Sequence, residues 1–302
     1  MSFMAITAAQ VKQLRETTGV GMMECKSALV ATDGDQEKAI IWLRERGMSR
    51  AQKKAGRTAA EGIVVFALSS DNKKGTLLEL NCETDFAAKN ADFSGFSNEI
   101  TQIAMANNIN SIEELNTLPF RDSNVEDQLA QLIAKVGENM NLRRVVTLNA
   151  PQGGFVVGYN HMNGKIGTLV SLKGDMSNTS MEVALDLAMH VAASAPKYLN
   201  RDLVDASELE QEKELARVNL RNQGKPEDLI EKILVGQVNK FYSEVTFIDQ
   251  PFVKEPKFTV NQYIANQKLG LVLDNFARFQ LGEGIEVEKR NFAEEVSEQL
   301  NK

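Results

Sequence analysis

The sequence predicts an α+β fold. A three-helix module opens the chain, and a core of two repeated β-hairpin/helix subdomains with antiparallel sheets follows it. A helical hairpin is inserted in the second half, and a C-terminal helix ends the chain. Three observations carry this prediction. Residues 62–80 match residues 154–172 without a gap, sharing Gly-x-Val-Val and then Lys-x-Gly-Thr-Leu-x-x-Leu. Residues 7–48 hold three short stretches of helical periodicity, and residues 207–242 hold two longer ones. At 302 residues the chain has the length of roughly two domains. We divide it at 1–55, 56–152 and 153–302, the last containing the hairpin over 200–245 and a terminal helical module over 285–302.

Thr7 to Gln10 forms a capping-box pattern before Val11 and Leu14, and Gly19 is placed to stop the first helix. Met22, Cys25 and Leu29 recur at helical spacing up to Gly34. Asp35 caps a third helix with Ala39, Ile40, Trp42 and Leu43 on its apolar face, and Gly47 ends it. Helices of ~10 residues are marginal alone, so the three must pack together. The basic run from Arg50 to Arg57 has no apolar face and reads as a solvated linker, with a functional basic patch as the alternative.

Each copy of the repeat reads as a hairpin, with Asn163-Gly164 a turn signal in the second. Amphipathic helices follow, over Phe93–Ala106 and Met181–Ser194. Between the halves, Ser111 to Glu114 and Ser123 to Glu126 look like capped helix starts, and 142–148 reads as a strand. Ser207 caps the first arm of the helical hairpin, Gly224 closes it, and Pro226 opens the second. The pattern alone fits two ordinary core helices equally well, and the polar first arm favours projection from the core. Residues 259–264 then read as a short helix, 276–281 as a strand broken by Gly282 and Gly284, and 291–300 as a terminal helix.

With 43% hydrophobic and 25% charged residues the composition is that of an ordinary globular protein. A net charge of -7 argues against a nucleic-acid binder, which needs a basic surface. Cys25 and Cys82 stand far apart, which fits a reducing compartment. Residues 1–7 lack the basic and apolar regions of a signal peptide, and no apolar run approaches the ~20 residues of a membrane span. A cytoplasmic protein is expected.

The stretch Leu77 to Asn90 is the most informative in the chain. An apolar run ends in a polar turn where Asp85 and Phe86 sit between strand and helix. Phe86 is either a core contact or a wedge for another protein. Met22 and Met23 are adjacent, so at least one is free of the core and available to a partner. Catalytic vocabulary is sparse: the pattern Gly19-Val-Gly21 does not complete a dinucleotide fingerprint, and histidine and cysteine spacings hold no zinc site. His190 reads as a packed histidine, His161 as solvent-facing in a hairpin turn, and Cys82 as a small packed residue. A hydrolase using Cys82 with His161 as base is the enzymatic alternative, and an interaction scaffold displaying the N-terminal module is another.

Several ordered motifs carry a family resemblance: Val11 to Lys26, Asn81-Cys-Glu-Thr-Asp-Phe-Ala-Ala-Lys-Asn90, Lys135 to Arg144, Ala188 to Ser194, Gln250 to Val253, and Gly282 to Ile285. Together they make the chain resemble, end to end, the bacterial translation elongation factor Ts family. Where that family usually reads Thr-Asp-Phe-Val, this chain has Ala87. The resemblance implies a ubiquitin-associated-like N-terminal module, a coiled-coil hairpin, and guanine-nucleotide exchange on elongation factor Tu without covalent chemistry or a cofactor. It implies that Thr84, Asp85, Phe86 and Ala87 dislodge Mg²⁺ from that partner. Leu14, Met22, Met23, Val136, Gly137, His161 and Phe292 would be further contacts, and dimerisation of the complex is left open.

Overall fold

The computed structural model of the chain describes residues 6–286. The predicted terminal helix over 291–300, and Phe292 with it, lies outside them.

Three helices open the fold: α1 (Ala8–Thr18), α2 (Met22–Ala31) and α3 (Gln36–Lys54). Thr7 and Gln10 form the capping box, Gly19 ends α1 in the left-handed region at φ +68°, and Asp35 accepts from the Lys38 amide. Leu14, Cys25, Ala28, Leu29 and Ala39 are fully buried between the helices. Gly47 does not end the third helix, which runs on through the basic stretch to Lys54. The glycine serves close packing instead: a Cβ there would lie 3.3 Å from Ala134 Cβ on a neighbouring helix. The expected linker is thus helical over much of its length, with Lys53 and Lys54 at the C-terminal end, where the helix dipole favours cations.

The first half of the core contains β1 (Glu61–Leu68), β2 (Lys74–Cys82), the single turn α4 (Asp85–Ala88) and α5 (Ala91–Asn107). It continues with α6 (Ile112–Thr117), a small ribbon of β3 (Pro119–Phe120) and β4 (Ser123–Asn124), α7 (Val125–Val136) and β5 (Met140–Asn149). The second half contains β6 (Gly154–His161), β7 (Ile166–Lys173) and α8 (Asn178–Ser194). The helical hairpin α9 (Ala206–Asn222) and α10 (Glu227–Val245) comes next. A ribbon of β8 (Pro251–Phe252) and β9 (Glu255–Thr259), then α11 (Val260–Gln267) and β10 (Val272–Gln280), complete the described chain. Two expected caps move, one a residue downstream and the other two residues upstream. Asn124, not Ser123, accepts from the Asp127 amide at the start of α7, and Asp205, not Ser207, caps α9.

Both sheets are antiparallel and three-stranded, ordered β1-β2-β5 and β6-β7-β10. Each repeated hairpin supplies two strands, and a strand from later in the chain adds the third. Alternation then sorts the side chains by face. Val65, Leu78 and Leu80 meet Phe93, Phe96 and Ile100 of α5 on one outer face. Val157, Val170 and Leu172 meet Val183, Leu187 and Val191 of α8 on the other. Val64, Leu77, Val156 and Leu169 close the space between the sheets. Gly158 and Gly167 allow the sheets to approach closely: a Cβ would come within 2.4 Å of the Phe66 ring at the first and 2.6 Å of Val64 at the second. The halves also exchange backbone bonds symmetrically, Val64 N–H to Gly164 O and Val156 N–H to Asn72 O, both 2.7 Å. Those residues occupy equivalent places in the repeat, so each hairpin turn rests on the first strand of the other half.

In the helical hairpin, Leu220 of α9 and Ile230 and Leu234 of α10 are buried, and Arg217 pairs with Glu210, Glu214 and Glu231. Leu220 is the sole buried residue of α9, as its polar sequence requires.

His190 is a packed histidine of α8. Its Nδ1 accepts from the Val253 amide at 3.2 Å, so Nε2 carries the proton and donates to Gln250 Oε1 at 2.9 Å. The ring stacks on Phe247 at 5.6 Å, and burial pushes its pKa below the ordinary 6.5. The unfolded chain takes up a proton as pH falls through about 6.5, and the folded protein does so only lower, so stability drops with falling pH across that interval. Urea unfolding should show this loss between neutral and mildly acidic pH and a shallower one in His190→Asn. An equal slope in the variant removes His190 as its source.

Candidate functional site

β2 ends at Cys82, and Thr84 turns the chain into α4 with extended backbone angles of φ -128° and ψ 156°. Its Oγ1 accepts from the Ala87 amide at 3.2 Å, which caps the turn. Ala87 is buried against the first core, and one residue of helix is ~100° of rotation, so its neighbour swings outward. Phe86 is 80% exposed as a result. Lys89, one turn on, pairs with Asp85 at 2.7 Å and sets its ammonium 5.6 Å from the Phe86 ring centroid. The hydrogen bond from Lys89 holds the Asp85 carboxyl below the usual carboxylate range, with the Lys89 and Lys165 charges adding to it. Asn90 caps α5 at once. The aromatic therefore stands on a turn fixed at both ends.

Other predicted residues gather at this end of the core. Val136 is half-buried and Gly137 ends α7 in the left-handed region at φ +90°. Lys54 of α3 donates to the Gly137 carbonyl, and Gly19 lies against the Lys135 side chain, where a Cβ would come within 2.8 Å of Cε. The N-terminal module is thus seated beside the turn. Met22 and Met23, which open α2 three residues after Gly19, are 53% and 74% exposed. Leu14 is corrected: it is fully buried among the three helices, so its side chain supports that surface without forming part of it. His161 is exposed at the end of β6, 3.0 Å from the Tyr159 hydroxyl. Its hairpin reaches the same end of the first sheet through the 2.6 Å pair of Lys165 with Glu61, which is opposite Cys82.

Cys82 is a core residue. Its Sγ donates to the Thr84 carbonyl at 3.1 Å, and burial, with the Glu138 charge adding, pushes the thiol up to about 12. A thiol so far from ionising is no nucleophile at neutral pH. Cys25 is buried as well. Both should resist alkylation by iodoacetamide at pH 8 in the native protein and react on unfolding; rapid native labelling of Cys82 would contradict this placement. Among the described residues, no group of three or more His, Cys, Asp or Glu side chains is placed to hold a metal ion, and no helix is long and apolar enough to cross a membrane.

The Asp85–Lys89 spacing is readable in the sequence as an i, i+4 pair. Lys54, which reaches this end of the core from the N-terminal module, and Glu138, whose carboxylate accepts from the Thr84 amide at 2.9 Å, carry no local signal.

Comparison with known proteins bears on this same region. Residues 83–283 match the family described as "Elongation factor TS". Elongation factor Ts of Halothermothrix orenii is 44% identical over 302 residues, covering 99% of this chain and 100% of that one. That of Clostridium botulinum (strain ATCC 19397 / Type A) is 44% identical over 304 residues, covering 98% and 99%. Relatives of that name, matched over nearly the whole length of the chain, make this a translation elongation factor. The chain belongs to the elongation factor Ts family.

Proposed function

We propose that the protein is a guanine-nucleotide exchange factor: it binds elongation factor Tu in its GDP form, displaces Mg²⁺ and promotes GDP release so that GTP can bind. The exposure of Phe86 on its capped turn is the single observation that carries this reading. A GTPase holds its nucleotide through phosphate-cradling amides and Mg²⁺. An exchange factor breaks no bond; it binds the nucleotide-free partner more tightly than the nucleotide-bound one, and the coupling is reciprocal. A side chain that gains burial only when the partner's helices have parted supplies that difference. Phe86 forms the wedge on the turn from Thr84 to Ala87, with Thr84 capping that turn, the buried Ala87 anchoring it to the core and Asp85 reorganising polar contacts around the ring. Val136, Gly137 and the His161 turn flank it, and Met22 and Met23 offer an adaptable apolar contact. No acid, base, nucleophile or cofactor takes part, and the setting is the cytoplasm.

Release of fluorescent GDP from elongation factor Tu, followed with and without this protein, tests the reading. Catalytic amounts should accelerate release, and excess GDP should weaken the complex. Release at the intrinsic rate would overturn it.

A further inference from the structure

The residues that end β2 and those that follow α7 exchange carboxylates. Glu83 Oε1 accepts from the Asn139 amide at 2.6 Å. In return, Glu138 Oε2 accepts from the Thr84 amide at 2.9 Å and Oε1 accepts from the Thr84 hydroxyl at 2.6 Å. That hydroxyl oxygen accepts in turn from the Ala87 amide at 3.2 Å. A continuous line of hydrogen bonds thus runs from Glu138 through Thr84 into the turn that carries Phe86. Hydrogen bonds to an ionised acceptor are the stronger kind, and a carboxylate gripping two donors of one residue fixes its orientation. The clamp is braced from the N-terminal side as well: Lys54 donates to the Gly137 carbonyl, and Asn139 Nδ2 donates to the Arg57 carbonyl at 2.7 Å.

We propose that Glu138 is a positioning residue for the Phe86 wedge, its carboxylate holding Thr84 as the cap of α4 and so fixing the direction in which Phe86 projects. The proposal rests on the exchange-factor reading above. A helical turn of four residues is far too short to persist by itself. Without the clamp Phe86 would have to be ordered during binding, which weakens the bound state.

Glu138→Gln keeps the shape but removes the charge and one acceptor oxygen, so the Thr84 hydroxyl must turn its proton away and accept from the new amide, and both charge-assisted bonds are lost. Fluorescent GDP release from elongation factor Tu should be accelerated about tenfold less by this variant than by the parent chain. In a Phe86→Ala background the same substitution should reduce release no further, because Glu138 acts through Phe86. Additive losses would overturn the proposal, since they make Glu138 a general support of the fold or a contact of its own. Undiminished release by Glu138→Gln would overturn it as well. If the parent chain itself fails to accelerate release, the exchange-factor reading falls. The clamp is then judged by hydrogen exchange at the Thr84 and Ala87 amides, which should quicken about tenfold in Glu138→Gln while amides of β7 are unmoved. Unchanged exchange at Thr84 and Ala87 would overturn the clamp.

Discussion

Phe86→Ala is expected to abolish most of the acceleration of GDP release while leaving the fold in place. The two halves of this expectation come from the same measurement. A side chain 80% exposed contributes little to the stability of the free protein, so thermal unfolding should move by no more than about 0.5 kcal/mol. Burying that ring in a partner is worth ~2 kcal/mol. At 1.36 kcal/mol per tenfold, losing it slows the assisted step about 30-fold. Phe86→Leu should fall between the two, since it keeps apolar area and loses the flat ring. Ala87, one residue on, provides the contrast: it is buried, so a larger side chain there should lower stability first and exchange only as a consequence. Full acceleration by a folded Phe86→Ala protein would remove the wedge from the mechanism and shift attention to Met22, Met23 and the His161 turn.

What the sequence made legible follows from the range of the interactions. Thr7, Gly19 and Asp35 act on their own helix ends within three or four residues, so their roles were readable directly. The hairpins were readable because the repeat preserves both the glycines and the alternation, and the structure explains why: Gly75 and Gly167, equivalent in the repeat, both face the opposing sheet. Long-range packing is what stayed hidden. Gly47 looks like a helix stop until Ala134 is seen pressed against it. The caps at Asn124 and Asp205 compete with equally suitable serines one and two residues away, and local chemistry does not choose between them. At the site, Asp85, Phe86 and Lys89 were legible as a turn and a spacing. Glu138 was not, because it is 54 residues from the Thr84 it holds. Leu14 shows the reverse failure: motif resemblance marks a segment, and only burial tells which of its side chains reach the surface.

Glu79→Ala should destabilise the fold by about 3 kcal/mol. Glu79 lies in the middle of β2 with its side chain fully buried between the sheets, a place where an unpaired carboxylate is not tolerated. A bulge in β5 makes it tolerable. The register slips between Glu79 and Leu80, whose partners are Arg144 and Leu142, and the extra residue is Arg143. Two consecutive arginines therefore meet one carboxylate, Arg143 at 3.0 Å and Arg144 at 2.6 Å. The Gly282 amide donates to it as well, at 2.9 Å, and Arg144 also pairs with Glu283 at 3.2 Å. The turn after β10 is thereby fastened to the opposite sheet. In the second half the equivalent position is Ser171, which donates to Asp274 at 3.0 Å, so the ionic cluster belongs to one copy of the repeat. Removing the carboxylate leaves two guanidiniums that are each about three-quarters buried, and it frees the Gly282 amide. For a chain of this size the midpoint of thermal unfolding should fall by about 5 °C. The cause can be separated from lost packing: replacing Glu79, Arg143 and Arg144 together with apolar residues of similar volume should recover much of the loss, because the stranded charges are what destabilise. A triple variant no more stable than Glu79→Ala would assign the loss to packing and to the Gly282 anchor instead.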